Sequence, residues 1–135
     1  MRRLILSIST ALLLCGCGGG SASGGSPPSV SLDGTWAATE HVVGNSLKLT
    51  ITTRMGVDTP NSLVVNGVGT YAYEAARSGT LSIYGSYQHS QVSFSLAYDS
   101  GDASSFSGTV TDATHISGKL VNKNGLSTDT TFVRQ

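Results

Sequence analysis

From residue 31 onward the chain alternates apolar and polar residues with a period of two. Leu47, Leu49 and Ile51 alternate with Ser46, Lys48, Thr50 and Thr52, and Val92, Phe94 and Leu96 with Ser93, Ser95 and Ala97. Leu81 with Ile83, Phe106 with Val110, and Ile116 with Leu120 keep the same parity. Successive side chains of a strand point to opposite faces, so this period predicts strands with one buried face and one wet face. The wet positions are rich in Ser and Thr, which suit a pleated surface. No stretch of this region combines a helical period with caps.

Turn-forming residues fall at regular intervals: Gly44-Asn45, Asp58 to Asn61, Arg77 to Gly79, His89-Ser90, Asp99 to Asp102, Asp112 to Thr114, and Asn124-Gly125. They delimit eight expected strands, at 34–42, 46–54, 62–74, 79–88, 91–98, 103–111, 114–122 and 127–134. Short connections imply antiparallel neighbours in sequence order. The expected fold is all-β, an eight-stranded antiparallel up-and-down meander closed into a barrel, which removes exposed sheet edges. A two-sheet sandwich is the alternative, but no connection is long enough for a Greek-key crossover. Gly85, Gly108 and Gly118 sit mid-strand in the pattern apolar-x-Gly-x-apolar, with Gly67 and Gly69 in a looser copy. All five share the parity of the inward apolar residues, as expected of a tightly coiled wall.

The first thirty residues have another character. Arg2 and Arg3 precede a short apolar run from Leu4 to Leu14. That run is about half the roughly 20 residues needed to span a bilayer, and its flanks fit a cleaved export signal. Leu14-Cys15-Gly16-Cys17 resembles the bacterial lipobox, which implies cleavage before Cys17 and lipidation of Cys17. Gly18 follows in place of the aspartate that retains such proteins at the inner membrane. The resemblance therefore implies a cell-envelope lipoprotein, at the outer membrane in a Gram-negative source. The Gly/Ser run to Ser26, followed by Pro27-Pro28, reads as a flexible tether with a stiffer end. The expected organisation is a signal peptide at 1–16, a lipidated Cys and tether at 17–30, and a barrel domain at 31–135.

Charge narrows the function classes. Only 12% of the 135 residues are charged, with eight basic and eight acidic groups. Loss of Arg2 and Arg3 with the leader leaves six basic groups against eight acidic. No basic stripe is present, which argues against a nucleic-acid partner and against a polybasic membrane patch. Both cysteines, Cys15 and Cys17, lie at the leader boundary, so the domain has no disulfide and no thiolate metal site.

The domain opens with Leu32-Asp33-Gly34-Thr35-Trp36. A Gly-x-Trp at the start of the first strand resembles the calycin group: lipocalins, fatty-acid-binding proteins and avidins. In lipocalins a basic residue near the end of the last strand packs across this Trp, and Arg134 stands in the corresponding place. Barrel closure makes the first and last strands neighbours, so Trp36 and Arg134 are expected to form a cation–π plug, worth about 0.5–2 kcal/mol. The resemblance does not extend to biotin binding, since this chain has one tryptophan and lacks the avidin pocket residues as a set.

With the Trp36 end plugged, a binding mouth is expected at the other end. Inward parity places Ala38 and Glu40 there from the first strand, Tyr71 and Tyr73 from the third, Tyr98 from the fifth and Asn122 from the seventh. Aromatic rings with one carboxylate and one amide suit a small apolar or amphipathic ligand. The plainer alternative is that the tyrosines cap the core with their hydroxyls in water. His41, His89 and His115 fall outward or in turns and compose neither a metal triad nor a Ser-His-Asp arrangement. The loop from Asp99 to Asp102 is too short for a calcium loop. Glu40 and Glu74 suggest no acid/base pair. A binding module without enzymatic activity, metal or cofactor is expected. The alternatives are a protein-interaction or inhibitor domain acting through the 54–62 segment, and a structural envelope lipoprotein with a filled barrel.

Overall fold

The structure, a computed structural model, describes residues 28–39, 46–57, 61–73 and 77–135. Each alternating run folds as a strand: β1 (Gly34–Thr39), β2 (Ser46–Met55), β3 (Ser62–Tyr73), β4 (Arg77–Gln88), β5 (Gln91–Tyr98), β6 (Ala103–Val110), β7 (His115–Asn122) and β8 (Ser127–Arg134). Each strand pairs antiparallel with the next, and β8 returns to β1 to close the barrel. The described residues contain no helix. The sandwich alternative is therefore excluded.

The period of two sets the register. In β5 every second residue (Val92, Phe94, Leu96, Tyr98) is buried and the intervening ones are exposed. Leu47, Leu49 and Ile51 do the same in β2. The inward sets converge on a core that includes Trp36, Val65, Ile83, Phe106, Ile116 and Phe132. At mid-barrel Phe94 stacks on Phe106 with centroids 5.0 Å apart, and Phe132 meets Phe106 edge-on at 5.1 Å. These separations suit the ring quadrupoles.

The inward glycines let the walls close in. Gly108 and Gly118 face each other across the β6–β7 ladder beneath the Phe106 ring. A Cβ on Gly118 would lie 2.3 Å from the Ser107 carbonyl oxygen and 2.5 Å from the Gly108 Cα. An eight-stranded barrel is just wide enough to be filled by its side chains. Here the ring takes the room that two side chains would have needed.

Three details differ from the expectation. Arg77 and Ser78, read as a turn, are the first residues of β4. Leu63, which shares the inward parity of Val65, is only half-buried. Leu32, which precedes the first strand, is fully buried, and Val30 packs against the core. Residues 1–27, including the expected export signal and Cys17, lie outside the described residues.

Candidate functional site

The two ends of the barrel are built differently. At the end where β1 begins, Trp36 and Arg134 are directly opposed in the β1–β8 register. The guanidinium carbon lies 4.5 Å from the Trp36 ring centroid. Arg134 Nε donates to the Ala113 carbonyl at 2.9 Å, Nη1 to Asp33 at 2.8 Å, and Nη2 to Ser31. Trp36 Nε1 donates to the Leu32 carbonyl at 2.8 Å. The planar fork thus ties the entering segment, the 111–114 turn and the last strand over a buried indole. The structure brings the two residues of the expected plug together and closes this end.

The opposite end carries the three tyrosines. Tyr71 and Tyr73 are two residues apart on β3, and Tyr98 is the last residue of β5. The Tyr71 centroid lies 5.3 Å from that of Tyr73 and 5.0 Å from that of Tyr98. Each hydroxyl donates to a defined acceptor. Tyr71 donates to Asp99 Oδ1 at 2.8 Å, Tyr73 to Tyr98 at 3.2 Å, and Tyr98 to Ser104 Oγ at 3.3 Å. Beside this cluster opens a cavity of about 380 Å³, lined also by Leu120, Leu126, Thr128, Lys123 and Arg77.

Asp99 fixes the cluster to the wall. Its Oδ2 accepts from the Thr80 amide at 2.7 Å and from the Thr80 hydroxyl at 3.1 Å. The carboxylate fits because residue 79 is glycine: a Cβ there would lie 2.4 Å from Asp99 Oδ1 and 2.8 Å from the Tyr71 hydroxyl. The Thr80 amide and then the Tyr71 hydroxyl stabilise the charged form and hold the Asp99 carboxyl below its ordinary range. The same bond to Asp99, with burial, raises the Tyr71 hydroxyl above its ordinary value.

The structure thus gathers Tyr71, Tyr73 and Tyr98 as the parity predicts. Asn122 also lines the cavity, but its Oδ1 is engaged by the amides of Asn124 (2.9 Å) and Leu126 (3.0 Å). That side chain shapes the 122–126 turn. Glu40 and Glu74 lie outside the described residues. Arg77 was missed, because Arg-Ser-Gly reads as a turn. It pairs with Tyr73 across the β3–β4 ladder. Extending the inward parity of Leu81 and Gly79 by one more step would have found it.

Two histidines are described. His89 occupies the β4–β5 turn with a φ of 56°. His115 Nδ1 lies 3.0 Å from Asp112 Oδ1 and 2.9 Å from Thr114 Oγ1. Both partners sit on the same ring nitrogen, whereas a catalytic triad needs the hydroxyl and the carboxylate on opposite nitrogens. The Thr114 hydroxyl and amide, with His115, hold Asp112 down to about 2.

No protein-family model matches the chain, and no curated protein matches it. Among solved structures, one similar chain is a redesigned β-barrel, mFAP1, in a structure bound to DFHBI. The likeness has a TM-score of 0.53 at 16% sequence identity, and covers 77% of this chain and 94% of that one. At that identity it is a likeness of fold, that of a β-barrel.

Proposed function

We propose that the chain is a membrane-anchored lipoprotein whose barrel binds a small apolar or amphipathic ligand at the tyrosine end. The observation that carries this reading is the cavity of about 380 Å³ beside Tyr71, Tyr73 and Tyr98. It falls within the roughly 300–1,000 Å³ of common ligand sites, and it pairs an aromatic wall with a few placed polar groups. The similar redesigned barrel was solved with a small ligand, DFHBI, which supports the same use of the architecture. The calycin-like Trp36–Arg134 closure adds to it, since a barrel sealed at one end presents one mouth.

The anchor follows from the lipobox-like Leu14-Cys15-Gly16-Cys17. The described chain enters at the sealed end, where Ser31 and Asp33 meet Arg134. A lipid on Cys17 would hold that end toward the bilayer and leave the mouth facing away. Acyl-chain labelling is expected in the wild type and lost in Cys17→Ala.

Binding is tested with the neutral fluorescent probe phenylnaphthylamine. Saturable binding is expected, and Thr128→Trp, which puts an indole into the cavity, should abolish it. No binding, or binding unchanged in Thr128→Trp, would overturn the small-ligand reading.

One observation favours a second reading. Met55 is 57% exposed and Val57 is 99% exposed at the β2–β3 connection, an apolar tip suited to a protein partner or an inhibitory contact.

A further inference from the structure

Among the described residues of the cavity lining, two cationic groups, Arg77 and Lys123, stand against one anionic group, Asp102. Arg77 stands exposed at the rim and makes no ion pair with any described residue. Lys123 lies across the rim and is paired with Asp102. Those three are the charged groups of the described lining. Asp99 adds no negative face, because its carboxylate is turned to Thr80 and Tyr71.

The tyrosines cannot substitute for these cations. Their hydroxyl protons point at Asp99, Tyr98 and Ser104, so toward a ligand they offer ring surface and oxygen lone pairs. The charged donors left for a ligand are Arg77 and, in exchange with Asp102, Lys123. A cationic ligand would meet both, and the described lining offers it no free carboxylate. A neutral one would partly desolvate the Arg77 fork, which has no counter-charge among the described residues, and that is unfavourable. Arg77 also pairs with Tyr73 in the register, so a group held by the fork would sit beside an aromatic wall.

We propose that the ligand is a small monoanionic amphipath. Its planar or apolar body lies against Tyr71, Tyr73 and Leu120, and its anionic group is held by Arg77. This rests on the small-ligand reading above and adds the charge of the ligand to it.

Two probes with one aromatic frame provide the test: anilinonaphthalene sulfonate carries an anion, and phenylnaphthylamine does not. The purified protein should bind the sulfonate more tightly by about fivefold, the scale of a solvent-exposed charge pair. The preference should shrink as salt is added. Arg77→Gln should remove it by weakening the sulfonate, with the neutral probe bound no more weakly than by the wild type. Lys123→Gln should reduce it less, because Lys123 is already paired. Equal affinities in the wild type, or a preference that survives Arg77→Gln, would overturn the anion inference and leave the small-ligand reading standing. Failure of both probes to bind would overturn the two together.

Discussion

The sealed end and the tyrosine end are made from the same alternating strands, yet they differ in how their polar groups are used. At the sealed end one guanidinium satisfies three backbone carbonyls and covers one indole. Trp36 and Leu32 are fully buried beneath it. At the tyrosine end the side-chain hydroxyls bond to each other and to Asp99, and the rings stand apart from the neighbouring wall by the volume of a small molecule. Backbone carbonyls bound by an arginine fork make a lid. Side chains bonded among themselves make a rigid rim around a space. The two ends differ while the middle between them is packed with Phe94, Phe106 and Phe132.

The sharpest way to break this contrast is to remove the lid. Trp36→Ala deletes a fully buried indole and should destabilise the barrel by about 3–5 kcal/mol, read from denaturant unfolding. Whatever fraction remains folded should still bind at the tyrosine end. Loss of binding in proportion to the folded fraction fits two independent ends; loss beyond it would couple them.

Overpacking the middle comes next. Gly118→Ala drives a Cβ into the Ser107 carbonyl and Gly108, and should lower stability by about 1–3 kcal/mol. A neutral result in thermal unfolding would mean that the walls are not held in close approach.

Arg134→Lys keeps the charge but loses the fork. A smaller loss of about 1 kcal/mol is expected, with no change at the mouth. A change in probe affinity as large as the stability change would contradict the division of roles.

The gentlest perturbation separates the ends by pH. Asp99 has a lowered carboxyl, so its share of stability is present at neutral pH and is lost as pH falls below the ordinary carboxylate range toward the lowered value. Tyr71 has a raised hydroxyl, so its share is kept at neutral pH and lost as pH rises past about 10. Asp99→Asn should bring the Tyr71 titration back toward the ordinary value, as followed by tyrosinate absorbance. At the other end Asp112, held down to about 2, keeps the 111–115 turn intact until acid reaches that range. An unshifted tyrosinate titration in Asp99→Asn would remove the Tyr71–Asp99 bond from the account.

Much of the fold is legible in the sequence because its signals are local. A period of two and turn residues at short intervals are written within each hairpin, and Trp36 and Arg134 mark the strand pair that closes the barrel. The tyrosines follow from the same parity. What escapes is where local composition points the wrong way. Arg77-Ser78-Gly79 has turn chemistry, yet Gly79 is there to admit the Asp99 carboxylate and Arg77 continues the strand. Asp99 reads as a turn residue, and nothing nearby in sequence shows that it reaches across to Thr80 and Tyr71. Asn122 has the right parity, but its amide is claimed by its own turn. The inward glycines are ambiguous by nature: glycine enlarges a cavity if the wall stays and shrinks it if the wall moves in. Around Gly108 and Gly118 it moves in, and the cavity beside the tyrosines lies at the end without them.

The most direct test of the central claim is residue-resolved chemical-shift mapping of the protein with phenylnaphthylamine. The account predicts perturbations concentrated at Tyr71, Tyr73, Tyr98, Leu120 and Thr128, with Trp36 and Arg134 unmoved. Perturbations centred on the Trp36 end or on the outer wall, or none at saturating probe, would contradict it.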